Sequence, residues 1–184
     1  MNRIKQFKKD EHGAIMVIVA ILLVVILGFT ALVVDLGLSY HNKNKLQSAA
    51  DAVTLAVSTM GADSLSYNPV KNYTENINLC TEVQKYFESN GIEDFKFDKN
   101  NTSASNIKVY SMRNKERAIK ELGDNPDESA ALVFYNSDTE TQYIEIYAHK
   151  KTTAIFGNIV DIGAYDLTVD SAAKCEVKFG GNPE

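Results

Sequence analysis

Hydrophobic and polar positions fall into three regimes along the chain. From Ala14 to Val34, AIMVIVAILLVVILGFTALVV, 21 residues follow one another without a charge. As a helix that stretch reaches roughly 31 Å, the thickness of one hydrocarbon core. It is apolar on every face, whereas a helix on a soluble core keeps one polar side. It predicts a single membrane span. From Leu36 to Met60 the pattern turns periodic. Leu46, Ala49, Ala50, Val53, Ala56, Val57 and Met60 recur at spacings of three and four, while Asn42, Lys43, Asn44, Lys45, Gln47, Ser48 and Asp51 fill the remaining positions. No proline interrupts, and Gly61 supplies a stop. The two regimes predict one continuous helix over 14–60, roughly 70 Å long, with weak points at Gly28 and Gly37. Its first half belongs in lipid; its second rests the stripe Leu46, Ala49, Val53, Ala56 and Val57 on a folded domain.

The third regime is mixed. After a polar loop over 62–72, a second helix is expected from Tyr73 to Asn90, with Ile77, Cys80, Val83 and Phe87 on its apolar face and Asn90-Gly91 as its stop. The period then drops to two. Phe95 and Phe97 alternate with Lys96 and Asp98, and Ile107 and Val109 with Lys108 and Tyr110. NKERAIKEL, 114–122, reads as a short helix closed by Gly123. Ala130–Tyr135 and Tyr143–His149 flank the polar NSDTETQ as a hairpin, Ile144 and Ile146 facing one way and Tyr143, Glu145 and Tyr147 the other. Lys151–Ile159 is expected to form a short helix, and Leu167–Phe179 a last strand with Val169 and Val177 inward. The fold class is α+β, with a mostly antiparallel sheet because the connections between strands are short. The expected organisation is a basic leader at 1–13, the span at 14–34, a continuation of the helix at 35–60, and an α+β domain at 61–184 whose GGNPE tail frays.

Charge sets the orientation. Arg3, Lys5, Lys8 and Lys9 precede the span, Asp35 follows it at once, and the next cations are Lys43 and Lys45. Lys and Arg near the ends of a span stay in the cytoplasm, so the amino terminus is expected inside and the carboxyl-terminal domain outside. A cleaved secretory signal would show a shorter apolar run ending in a small-x-small site; here the run ends Val33-Val34-Asp35-Leu36. Beyond residue 51 the chain carries 13 basic and 20 acidic residues, a balance that argues against nucleic acid as a partner and leaves membrane lipid as the first one.

Catalytic chemistry finds no support. The three histidines, His12, His41 and His149, lie far apart in sequence, and no H-x-x-x-H, C-x-x-C, G-x-S-x-G, Walker or G-x-G-x-x-G spacing occurs. No cofactor or metal is expected, and the chain does not read as an enzyme. Cys80 and Cys175, the only cysteines, both fall in the exterior region. An oxidising compartment would permit a bridge between them; two buried thiols acting as small hydrophobes are the alternative.

One stretch is more specific. HGAIMVIVAILL at 12–23, LVVDLG at 32–37 and NKLQSAADAVTLA at 44–56 resemble, in order and in register, the TadE/TadG-like pilus-assembly family. A weaker echo, KTTAIFG at 151–157 and LTVDSAAKCEV at 167–177, resembles the close of such proteins, a short apolar helix followed by a strand rich in small residues. The resemblance implies a pilin-like or pseudopilin-like membrane protein of a tight-adherence (Flp, type IVb-like) system in a bacterial cell membrane. It would act as a minor subunit or anchored assembly factor beside other pilus proteins. It also implies a prepilin-peptidase cut between Gly13 and Ala14. TadE-like members carry a glutamate five residues past that cut; this chain has Ile18, which points to the anchored TadG-like branch. It is too short for the von Willebrand A domain of long TadG-like proteins. Ala20, Gly28 and Ala31 are the small residues at which another membrane helix would approach closely. The reading from a different class is a membrane-tethered exterior binding domain unrelated to a filament.

Overall fold

The computed structural model describes residues 3–59, 77–101, 104–124, 129–137, 141–157 and 163–176. Among these, helix α1 runs unbroken from Arg3 to Ser58, 56 residues and therefore about 84 Å. Neither Gly28 nor Gly37 breaks it. The expected stop at Gly61 lies outside the described residues. Helix α2 spans Ile77–Ser89 and α3 Lys115–Gly123, with a single 3₁₀ turn at Met112–Asn114 ahead of α3. Strands β1 (Ile107–Ser111), β2 (Ala130–Ser137), β3 (Thr141–Thr153) and β4 (Ala164–Glu176) form one sheet in the order β1-β2-β3-β4. The fold is α+β with a mixed, mostly antiparallel sheet.

The chain divides into two compact units. One comprises Met1–Ser39 with Ala154–Ala164, the other Tyr40–Thr153 with Tyr165–Glu184. The larger unit holds the core. On one face of its sheet, Ile107, Ala131, Val133, Ile144, Ile146, Leu167 and Val169 pack with Leu46, Ala49, Ala50, Val53 and Val57 of α1 and with Leu79, Cys80, Val83 and Phe87 of α2. On the other face α3 contributes Ala118 and Leu122 against Ala130, Leu132 and Phe134. Strand β2 is thus covered on both sides, which is why Ala130–Tyr135 reads as an unbroken apolar run rather than an alternation.

The hairpin forms as expected. Tyr135 pairs with Ile144, Val133 with Ile146 and Ala131 with Ala148, and this register sends Ile144 and Ile146 to the helix-packed face. Helix α2 ends in a paired closure. Ile92 N–H donates to Phe87 O at 2.9 Å and Gly91 N–H to Glu88 O at 2.9 Å, with Gly91 at φ +73°. That left-handed turn is why glycine stands there, and Ile92 folds back into the core behind it.

The structure departs from the local pattern in three details, the first within a sheet that is mostly antiparallel as expected and the other two correcting expected elements. First, β1 and β2 are parallel, Ile107 opposite Ala131 through Ser111 opposite Tyr135. Their connection contains α3 and is long enough to cross over, which a tight hairpin would not be. Second, Phe95 and Phe97 belong to no strand. The Asn106 side chain takes up Lys96 N–H at 2.6 Å and donates to Asp94 O, and Ser105 Oγ accepts Asp98 N–H, so side chains satisfy groups that a ladder would have paired. Phe95 still buries, its ring 4.6 Å from that of Phe87. Third, Lys151–Thr153 extend β3 instead of starting a helix, and the backbone bends at Ile155 and Phe156. Residues 158–162 lie outside the described ones, as do Tyr73–Glu75 and Val177–Phe179.

Candidate functional site

The polar feature beside the apolar span is Asp35, in the smaller unit. It is the only acidic residue between Glu11 and Asp51 and stands immediately after Val34 on α1. Its carboxylate collects the backbone of three consecutive residues. Oδ1 accepts Ile155 N–H at 3.0 Å and Phe156 N–H at 3.2 Å; Oδ2 accepts Phe156 N–H at 3.0 Å and Gly157 N–H at 2.7 Å. Successive N–H groups converging on one anion form a concave donor cradle. Here the anion is supplied by the chain itself, more than a hundred residues away in sequence. The bend at Ile155 and Phe156, with a 3₁₀ turn opening at Gly157, aims the three donors together, as the free N–H groups at the start of a helix also do.

The span itself is bare. Every described residue from Gly13 to Thr30 is exposed, Ile18 at 57 % among them, and the hydroxyl of Thr30, its only polar side chain between Ala14 and Val34, donates to Ile26 O at 2.9 Å. An exposed helix of such length and apolarity is long enough to cross a membrane. Gly13, Ala14, Ala20 and Gly28 lie exposed on it and Ala31 half-buried; a Cβ added at Gly13 or Gly28 would meet nothing within 4 Å. In the larger unit, Leu46, Ala49, Val53 and Val57 are fully buried, and so is Ala50, while Ala56 is half-buried.

Residues 13–62 match the TadE/G-like Flp pilus-assembly family. The likeness covers that segment, 50 of the 184 residues. No curated protein and no solved structure shows a match to the chain. The TadE/G-like segment contains Asp35 and all of α1 from the span onward, with residues 60–62 outside the described ones. Its Asp35 grips the second segment singled out in the sequence, KTTAIFG, so the structure joins two stretches that the sequence kept apart.

Polar groups of the larger unit are paired as well. Glu145, buried on β3, accepts from Lys115 Nζ, which enters from the start of α3, and Tyr143 Oη donates to its other oxygen at 3.4 Å. The hydrogen bond to Glu145 holds the Lys115 ammonium above its usual range, and burial followed by the Glu145 charge pushes the Tyr143 phenol up. His149 is buried, with Nε2 3.6 Å from Asp166; His41 is exposed, and the side chain of His12 lies outside those described. Among the described residues no group of three or more His, Cys, Asp or Glu side chains would hold a metal. A shallow groove between α2 and 97–100 is open and lined by mixed charges such as Lys85, Glu88, Asp98 and Lys99. Cys80 is a free thiol in the core, and burial pushes it up to about 12. Cys175 is near the end of β4, its side chain outside those described.

Proposed function

We propose that this chain is a non-enzymatic component of a tight-adherence pilus, held in a bacterial cell membrane by α1 with its amino terminus in the cytoplasm and its α+β domain outside. The observation that carries the reading is the TadE/G-like match on a helix whose stretch from Gly13 to Thr30 is exposed and free of charge. The four cations ahead of the span and the acidic balance beyond it support the orientation. Its partners are membrane lipid and other pilin-like or assembly proteins, engaged through Ala20, Gly28 and Ala31 on the bare helix. Ile18, in place of an acid five residues past Gly13, favours an anchored form that keeps its leader.

Two measurements test this. Deleting the gene should abolish or shorten surface fibres, and wild-type fibre number and length in the deletion strain would refute a role in the pilus. Protease added to intact cells stripped of any wall should digest the region beyond Tyr40 and spare the basic tail; a protected carboxyl-terminal domain would reverse the orientation. Intact mass then reads the leader, with a Met1 or Asn2 start expected and an Ala14 start showing a prepilin-peptidase cut.

A further inference from the structure

Ile155 and Phe156 present the mirror image of the cradle. Their amides point to Asp35, while their side chains, exposed at 61 % and 39 %, belong to neither core cluster of the described residues. Isolated exposed apolar residues need no explanation, but these two sit at a fixed depth. Asp35 is the first residue past the charge-free stretch that ends at Val34, so the carboxylate that holds the bend also holds it level with the end of the span. Where a span crosses lipid, that level is the boundary between acyl chains and headgroups. A bend placed there faces a second requirement, since N–H groups taken out of water must be satisfied within the protein. All three donors of the bend are so satisfied, by one residue.

We propose that Ile155 and Phe156 form a second, superficial membrane contact: the tip of the 154–157 bend inserts its two side chains into the interfacial layer of the lipid bilayer on the carboxyl-terminal side of the span. The partner is phospholipid, and the inference rests on the membrane-spanning reading of α1. Asp35 acts as the positioning residue, setting the depth of the bend and removing its amide donors from competition with water. Phe and Ile suit this contact as purely apolar side chains, like those on the buried face of segments that lie in the interfacial layer.

The chain contains no tryptophan, so each Trp substitution gives a single fluorophore. Full-length Phe156→Trp would be reconstituted in phosphatidylcholine–phosphatidylglycerol vesicles, beside Phe29→Trp as a reporter of the span and Ile155→Trp as a second reporter of the bend. Quenching would be compared between lipids brominated near the glycerol backbone, lipids brominated near the chain ends, and acrylamide in the water. The Phe156→Trp indole should emit to the blue, be quenched several-fold more by the shallow bromines than by the deep ones, and keep that behaviour when protein is diluted in lipid. Adding Asp35→Ala should return it to water, read as a red shift and stronger acrylamide quenching. If Phe29→Trp is quenched by deep bromines while both bend reporters stay in water, the inference fails and the span stands. If Phe29→Trp is not quenched by lipid, the span itself fails. A blue shift lost on dilution would mean a second copy covers the bend, and unchanged quenching after Asp35→Ala would remove Asp35 as its positioning residue; each overturns the proposal.

Discussion

Replacing Asp35 by alanine removes every acceptor from three adjacent amides at once. The four contacts run from 2.7 to 3.2 Å, short to ordinary for N–H···O bonds to a carboxylate. A hydrogen bond to a charged group contributes about 1.5–3 kcal/mol when buried and less where water competes, so a half-exposed set of three donors is worth about 2–4 kcal/mol together. That energy opposes local opening of 155–157. It should appear as a rise of about 30- to 1000-fold in the exchange of those amides, at 1.36 kcal/mol per factor of ten. The measurement is hydrogen exchange, resolved to single amides, on the intact protein in lipid nanodiscs. Asp35 takes no part in either core cluster, so amides of β2 and β3 should keep their protection in the same sample. Asp35→Asn retains one acceptor oxygen and should fall between the parent and the alanine variant. Equal protection of Ile155, Phe156 and Gly157 in parent and Asp35→Ala would refute the view that the carboxylate holds the bend.

Three further outcomes are expected. Val53, fully buried among sheet and α2 side chains, should lose about 2–5 kcal/mol of folding stability when changed to Asp, whereas exposed Asp51 should tolerate Asn with little change, both read by denaturant titration of the full chain in detergent. Cys80, in a Cys175→Ser background, should resist alkylation at neutral pH until denaturant is added. Because the folded state holds the thiol proton up to about 12 while the unfolded chain releases it earlier, the parent should lose stability relative to Cys80→Ala as pH rises toward that value, and parallel pH profiles would contradict this. Gly28→Leu, with open space around it, should insert and fold normally yet cross-link less to other pilus proteins; undiminished cross-linking would remove Gly28 from any assembly contact.

Elements defined by their own side chains were legible in the sequence. The charge-free stretch and the three-four spacing gave α1, Gly91 gave the end of α2, and the alternation around Ile144 and Ile146 gave both the strand and the face it buries. What escaped depended on partners remote in sequence. Whether β1 runs parallel to β2 is decided by α3 crossing between them, and the local pattern of IKVYS is the same either way. The alternation at Phe95–Asp98 marks real burial, but Asn106 and Ser105 supply the bonds that keep it from being a strand. KTTAIFG looked helical from its small and apolar residues, whereas its first three residues complete β3 and its amides turn to Asp35. The one available sign of that site was the isolation of Asp35 among uncharged neighbours at the edge of a span. An acid placed there has either water or donors around it, and only the fold reveals which.

The cradle also has a place in time. Ribosomes extend a chain at about 5–20 residues per second, so Asp35 is made about 6–24 s before Gly157, its partner 122 residues later. Gln47 and Thr54 of the same helix wait as long for Asp170 and Ser171 on β4. Through that interval α1 is the oldest part of the molecule: its stripe from Leu46 to Val57 gains cover stepwise as α2 and β1–β3 are made, while its carboxylate waits to the end for its donors. A chain arrested before residue 155 would carry a complete hydrophobic segment and the α2 and β1–β3 side chains that pack on its stripe, but neither the amides that Asp35 gathers nor the β4 partners of Gln47 and Thr54. With α1 as the membrane anchor proposed above, insertion is written in the opening quarter of the chain, while the last attachments of α1 depend on nearly all of it.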